Sequence, residues 1–323
     1  MTAITPLTEN DLEALLSRYS LTGLQRFWPA TNGIENSNYF IRLAGDGECQ
    51  ELVLTMLERP PHAGDLLVPL LDHCDAAGLP IARVVRNRFG DANDEINGKP
   101  TILSPRLCGQ HILNPTLRHC ESVGQFLARF HLVAKPMAVE APVYPRDTRW
   151  LARTAEAVQP NARFADGELL NAALTTVTSL LDRSDAANLP HGIIHGDLFR
   201  DNVLFTERGL SGVLDFHHAA AGSWIYDVAV AANDWCSVGD GTLDSERVMS
   251  LLRSYHRVRP LQLPELWFFP VFALYAALVF WLSRLEGLRS ADERGRTKNP
   301  DEFRRIVQGH MNRFFYLDPR LLH

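Results

Sequence analysis

The run His195-Gly196-Asp197-Leu198-Phe199-Arg200-Asp201-Asn202, followed by Asp215 at the end of a short apolar segment, constrains this chain more than any other feature. Gly192-Ile193-Ile194 and Val203-Leu204-Phe205 flank the run as β-prone segments, and Gly212-Val213-Leu214 leads into Asp215. The spacing therefore predicts a loop held between short strands, with a second carboxylate delivered beside it. Asp197 offers a carboxylate that can take a proton from a hydroxyl. Asn202 and Asp215 offer hard oxygen atoms of the kind that hold Mg²⁺. Capping residues met by chance would explain any one of these positions, but not the ordered set within its frame of strands.

The order is that of the H-R-D-x-x-x-x-N and D-F-G segments of protein-kinase-like phosphotransferases. It implies ATP as the phosphoryl donor, Asp197 as the base, and Asn202 and Asp215 as Mg²⁺ ligands. Gly196 replaces the Arg of H-R-D, and His217 stands where D-F-G has Gly. Both differences point to kinases of small molecules rather than of proteins.

Composition narrows the partners. With 323 residues there is room for two lobes and an ample core, and a net charge of −6 disfavours a nucleic-acid or anionic-membrane surface. Cys49, Cys74, Cys108, Cys120 and Cys236 form no C-x-x-C pair and read as reduced thiols of a cytoplasmic protein. His73-Cys74 and His217-His218 lack a second pair at zinc-ligand spacing. Residues 266–282 carry no charge, close to the length of a membrane span, but Pro270 interrupts them and Arg284 and Glu286 follow. They read as a buried helix.

Along the chain, Thr8-Glu9-Asn10-Asp11 predicts the cap of a first helix with Leu12, Leu15 and Leu16 on one face. Residues 39–43 and 52–57 predict a hairpin turned at Gly45-Asp46-Gly47. Residues 65–77 predict a helix, 81–85 and 101–107 two strands, and 90–98 a polar connection between them. Helical patterns then follow at 117–133, 169–181, 246–257, 265–285 and 300–315. The resulting expectation is an α+β, bilobal, protein-kinase-like fold. A nucleotide-binding N-lobe with a small antiparallel sheet spans residues 1–104, and a hinge spans 105–110. A larger, mostly helical C-lobe spans 111–323 and carries the catalytic loop and the substrate-binding helices. Main-chain groups near Arg106 and Leu107 would meet the adenine edge.

The chain resembles the aminoglycoside-phosphotransferase/choline-kinase-like enzymes, and within them the bacterial type II homoserine kinases. The resemblance runs through Gly33-Ile34-Glu35-Asn36-Ser37-Asn38-Tyr39-Phe40, Leu52-Val53-Leu54-Thr55 and residues 191–202. It continues in Val213-Leu214-Asp215-Phe216, Tyr226-Asp227-Val228-Ala229, Asn233-Asp234-Trp235-Cys236, residues 280–285 and residues 298–303. It implies transfer of the ATP γ-phosphate to the hydroxyl of L-homoserine in threonine biosynthesis, with Gly33, Asn36, Ser37 and Asn38 forming the phosphate loop. Two departures stand out. Thr55 occupies the place where most kinase-like enzymes carry a phosphate-binding Lys, and Val279 stands where the related stretch usually reads Arg. Lysine is scarce throughout (Lys99, Lys135 and Lys298), so Arg59, or Mg²⁺ and backbone amides, would replace it. Arg42 is the weaker candidate, because hairpin register sets it opposite Glu51.

Homoserine carries a carboxylate and an ammonium. Arg284 and Asp234 are the candidate pair to receive them, with Arg200 and Trp235 nearby in sequence motifs. An aminoglycoside would favour an acidic substrate lobe, yet residues 240–323 hold ten acidic against thirteen basic side chains. A choline-like amino alcohol would want an aromatic cage, which Trp224, Tyr226, Trp235 and Trp281 could form. A non-catalytic nucleotide-binding module is the remaining alternative, supported only by the missing Lys.

Overall fold

The computed structural model describes residues 5–30, 35–44, 50–158, 164–289, 298–313 and 320. Helix α1 (Glu9–Arg18) begins at a capping box in which the Thr8 hydroxyl accepts from the Asp11 amide and the Asp11 carboxylate accepts from the Thr8 amide. Strands β1 (Leu24–Pro29), β2 (Ser37–Leu43) and β3 (Gln50–Met56) follow. Helix α2 (Leu67–Ala76) precedes β4 (Asn93–Ile96) and β5 (Lys99–Pro105). The five strands form one antiparallel sheet in the order β1-β2-β3-β5-β4. Alternation puts Tyr39, Ile41, Leu43, Leu52, Leu54 and Met56 on one face, where they bury Leu12, Leu15 and Leu16 of α1. Register sets Arg42 opposite Glu51, as the hairpin reading requires, and the two are ion-paired.

The rest of the chain is mainly helical: α3 (Leu117–Ala134), α4 (Thr148–Val158), α5 (Phe164–Leu181), α6 (Ser184–Ala187), α7 (Trp224–Trp235), α8 (Ser245–Val258), α9 (Leu263–Arg289) and α10 (Asp301–Asn312). Two small antiparallel pairs lie between α6 and α7. One joins β6 (His191–Ile194) to β9 (Ala220–Ser223), the other β7 (Val203–Thr206) to β8 (Gly209–Val213). Helices α3 and α8 approach closely at Gly124, where a Cβ would stand 2.2 Å from the Leu251 carbonyl oxygen. Helix α9 is long and apolar enough to cross a membrane, but 83% of its apolar window is buried, packed against α4, α5, α7 and α10. It is a core helix.

Several expectations change. Residues 81–85 form no strand: Ile81 makes one parallel bridge to Val213, and the Val85 amide bonds to Leu103. Their backbone groups reach two different partners, so no ladder can propagate. The polar connection at 90–98 contains edge strand β4, which turns into β5 through Asn97 and Gly98, both at positive φ. The structure adds strand β1 and helices α4 and α7 to the expected elements. The turn Gly45-Asp46-Gly47 and residues 314–315 lie outside the described residues.

A buried polar chain ties three helices together. His310 of α10 donates from Nε2 to Asn233 Oδ1 of α7 (2.8 Å), and Asn233 Nδ2 donates to the Ala273 carbonyl of α9 (2.7 Å). Burial pushes His310 from 6.5 down to about 4. The folded state therefore keeps it neutral while the unfolded chain takes up a proton below about pH 6.5. Stability should fall as pH drops from about 6.5 toward 4, by up to about 1.4 kcal/mol per pH unit from this group. Urea unfolding between pH 7 and 4.5 checks this. His310→Asn should lower the proton uptake on unfolding by about one, and an unchanged slope would refute the assignment.

Candidate active site

The loop after β6 is built on a carboxylate that belongs to α7. Asp227 is fully buried and accepts three hydrogen bonds: His195 N–H (2.8 Å), Gly196 N–H (2.8 Å) and His131 Nε2 (3.0 Å). Burial alone would raise the Asp227 pKa, but the His131 bond and the other donors hold it below its ordinary value. Gly196 turns the chain at φ +78°, where a Cβ would sit 3.1 Å from the His218 carbonyl oxygen. His195 donates from Nε2 to the Leu214 carbonyl (3.0 Å), so its Nδ1 accepts from the Asp197 amide (3.3 Å). One imidazole thus joins the loop to the residue preceding Asp215.

Asp197, Asn202 and Asp215 come together. Asn202 Nδ2 donates to the Asp197 carbonyl (2.8 Å) and to Asp197 Oδ2 (3.1 Å), leaving its amide oxygen for a cation. The Asn202 carbonyl accepts from the Leu214 amide (2.9 Å), which brings Asp215 alongside. Asp215 adopts the left-handed conformation at φ +61°, strained for a non-glycine residue and typical of functional positions. Burial works against its ionisation, yet the His217 contact and the nearby imidazoles hold it well below the ordinary carboxylate range. An ionised carboxylate beside an amide oxygen is a donor set that fits Mg²⁺. Burial pushes Asp197 up to about 7, opposed by His218 and Lys298.

On the nucleotide side, Gly33 lies outside the described residues. Asn36 Oδ1 accepts from the Glu58 amide (3.3 Å). The Ser37 hydroxyl is taken up by Glu58 and the Thr5 amide, so it does not face a phosphate. Asn38 and Thr55 are cross-strand partners, with the Thr55 hydroxyl donating to Asn38 Oδ1 (2.7 Å). Lys99 is bound by Glu58 and Thr5, and Arg59 is exposed. Arg106 points outward, paired with Glu51 (2.8 Å) and lying over Phe40, and its amide bonds to the Glu51 carbonyl. The Leu107 side chain packs against Gly212.

The four acceptor-binding candidates are placed differently from expectation. Asp234 takes the Arg200 amide (2.6 Å) and Arg200 Nε (3.1 Å) and Nη2 (3.2 Å), so its charge is spent within the loop. Trp235 is buried and donates to the Leu198 carbonyl (3.2 Å). Arg284 pairs with Glu302 (2.7 Å), donates to the Asn299 carbonyl (2.8 Å) and stacks on Phe303. Glu302 also lies 3.9 Å from Arg200, so Arg284, Glu302, Arg200 and Asp234 form one ion-pair network in which each charge already has a protein partner. These residues brace the catalytic loop and α10. Val279 is fully buried.

Sequence reasoning passes over four residues at the site. Glu35 accepts from His218 Nε2 (2.8 Å), reaching from the loop before β2 to the segment after Asp215. Lys298 pairs with Asp201 (2.8 Å) beside Asp197. Arg146 stands in the segment before α4, and His131 on α3. Lys298 was within reach of sequence reasoning through its motif and the scarcity of lysine; for Arg146 no spacing signal exists.

This geometry is that of a phosphotransferase, and comparison agrees. The sequence profile of the phosphotransferase enzyme family matches residues 28–261, and the chain belongs to that family. It is 38% identical over 287 residues to a homoserine kinase of Pseudomonas aeruginosa (strain UCBPP-PA14), covering 88% of each chain. It is 35% identical over 313 residues to a homoserine kinase of Methylobacillus flagellatus, covering 95% of each. Among solved structures, an amicoumacin kinase superposes with a TM-score of 0.69 at 14% identity, covering 95% of this chain and 93% of that one. That likeness establishes the bilobal kinase-like fold.

Asp234→Ala should cost about 3 kcal/mol, since it strands a partly buried guanidinium and a main-chain amide. The turnover rate should fall more than ATP affinity. Urea unfolding with steady-state kinetics tests this; a stability loss below about 1 kcal/mol would show that the Arg200 pair does not hold the loop.

Proposed function

We propose that this chain transfers the γ-phosphoryl group of ATP to the side-chain hydroxyl of L-homoserine, giving O-phospho-L-homoserine and ADP for threonine biosynthesis. The observation that carries the reading is the convergence of Asp197 and Asn202 of the clamped loop with Asp215 beyond β8, in a chain similar to homoserine kinases over most of its length. Residues 1–104 form the nucleotide-binding lobe, 105–110 the hinge and 111–323 the lobe that binds the acceptor. The enzyme is cytoplasmic, with no membrane or nucleic acid as partner.

Asp197 accepts the proton of the acceptor hydroxyl as its oxygen attacks the γ-phosphorus and the bond to the β-phosphate oxygen breaks. Its raised pKa suits a base that must both take and release a proton near neutral pH. Asn202 and Asp215 would hold Mg²⁺, which neutralises charge on the phosphates when bound. Lys99 and Thr55 are engaged elsewhere, so Arg59 and, when bound, the cation would bear the remaining phosphate charge, and the expected phosphate-binding position Gly33 lies outside the described residues.

Asp197→Asn should lower kcat at least about 100-fold with ATP affinity little changed. An unaltered rate would remove Asp197 as the base. Asp215→Asn should shift the Mg²⁺ titration of activity to higher concentration. The reading itself is tested by Mg-ATP-dependent ADP release with L-homoserine beside serine, choline, ethanolamine and an aminoglycoside. Selective turnover of L-homoserine, with the phosphorylated product identified by mass, is the expected result. Turnover of a different acceptor alone would replace the substrate, and silence with all of them would favour a nucleotide-binding module.

A further inference from the structure

The segment before α4 runs against the catalytic centre. The Tyr144 amide bonds to the Ala221 carbonyl of β9 (2.9 Å), and Val143 bridges Ala221. The Tyr144 ring edge lies 3.4 Å from where a Cβ of Gly196 would be, immediately before Asp197. The Tyr144 hydroxyl bonds to that of Tyr226 (2.7 Å). Two residues later, the Arg146 backbone is fixed on both sides. Its carbonyl accepts from Tyr275 (2.5 Å), and Asp147 caps α4 by accepting from the Trp150 amide (2.8 Å). The guanidinium lies over Phe280 (5.9 Å) and Trp150 (5.8 Å).

Three other arginines held in this part of the chain each have a carboxylate close by: Arg200 has Asp234, Arg259 has Glu265, and Arg284 has Glu302. Arg146 is different. Among the described residues no carboxylate comes within ion-pair distance of it, and its surroundings are the two phenols, aromatic faces and, farther off, Asp197 and Glu35. A half-buried cation on a fixed backbone, facing the site and without a partner carboxylate, is placed to take up an anion. The planar guanidinium fork suits a carboxylate.

We infer that Arg146 receives the carboxylate of the amino-acid acceptor and so sets the acceptor's hydroxyl toward Asp197. The assignment rests on the homoserine reading above. It places selectivity for an amino acid over an amino alcohol in the segment before α4, away from Arg284 and Asp234. Arg146 acts on binding and orientation; the proton goes to Asp197.

The test compares wild type, Arg146→Gln and Arg146→Lys by steady-state kinetics, with L-2-aminobutyrate as an inhibitor competing with the acceptor. That probe keeps the carboxylate and ammonium and lacks the hydroxyl. Arg146→Gln should raise the KM for L-homoserine and the inhibition constant of L-2-aminobutyrate together, each by at least about 10-fold, with the KM for ATP within about two-fold. Arg146→Lys, which keeps the charge and loses the fork, should fall between. Thermal unfolding of both variants reports folding separately. If Arg146→Gln unfolds, the Arg146→Lys values decide. Unmoved acceptor constants, or a rise confined to ATP, would overturn the inference while leaving the homoserine reading intact. A wild type that ignores L-homoserine and uses another acceptor would overturn both.

Discussion

Asp227 lies in the first turn of a helix that is buried on all sides, where a carboxylate survives ionised only if hydrogen-bond donors surround it. It finds them in the two amides that open the catalytic loop and in His131 of α3. The constraint is mutual, because the loop amides would otherwise be buried without partners. The network extends outward. The Tyr255 hydroxyl bonds to His131 Nδ1 (2.7 Å), and Arg259 reaches Tyr255 (3.4 Å) and pairs with buried Glu265 (2.7 Å). One carboxylate thus couples α3, α7, α8 and the start of α9 to the position of Asp197. Asp234 repeats the device one helical stretch later, holding the Arg200 amide from the same helix. Helix α7 is the scaffold of the site, although none of its residues need touch a substrate.

Charge across the cleft is arranged around that scaffold. In the small lobe, Glu58 takes Lys99, and a neutral Thr55–Asn38 contact occupies the strand position where a lysine would be expected. On the proposed reading, phosphate charge would be left to a bound cation, main-chain groups and any arginine that can reach. The Glu35–His218 pair links the loop before β2 to the segment after Asp215, and the Ala63 amide bonds to the His217 carbonyl (3.0 Å). The sheet-bearing and helical parts of the chain therefore meet just beyond Asp215. Burial lowers the His218 pKa, and the Glu35 contact more than restores it, so the net shift is upward. The His218 imidazole of this pair opposes the upward push that burial gives the Asp197 carboxyl.

The catalytic run is legible in the sequence because its geometry is local: Asp197 and Asn202 share one loop, and a single short hairpin returns the chain to Asp215. The capping box of α1 and the Arg42–Glu51 register are legible for the same reason. Helix α7 is not, because burial all round removes the apolar stripe that marks an amphipathic helix. Edge strand β4 escapes because Asn93-Asp94-Glu95 has little strand propensity and is held by pairing with β5. Arg284 and Asp234 have the charges an amino acid requires, yet each meets a protein partner through tertiary contacts that no spacing records. Arg146, in a proline-flanked connection, shows the converse: its place in the fold makes it conspicuous, and its sequence does not.

The most direct test of this account is native-state amide hydrogen exchange at His195 and Gly196, compared between the wild type and Asp227→Asn. If the Asp227 carboxylate holds the catalytic loop, both amides in the wild type exchange only as slowly as global unfolding permits. In the variant they then lose protection by much more than the drop in global stability. Protection at these two amides that falls only in step with global stability would contradict the account and show that packing alone positions Asp197.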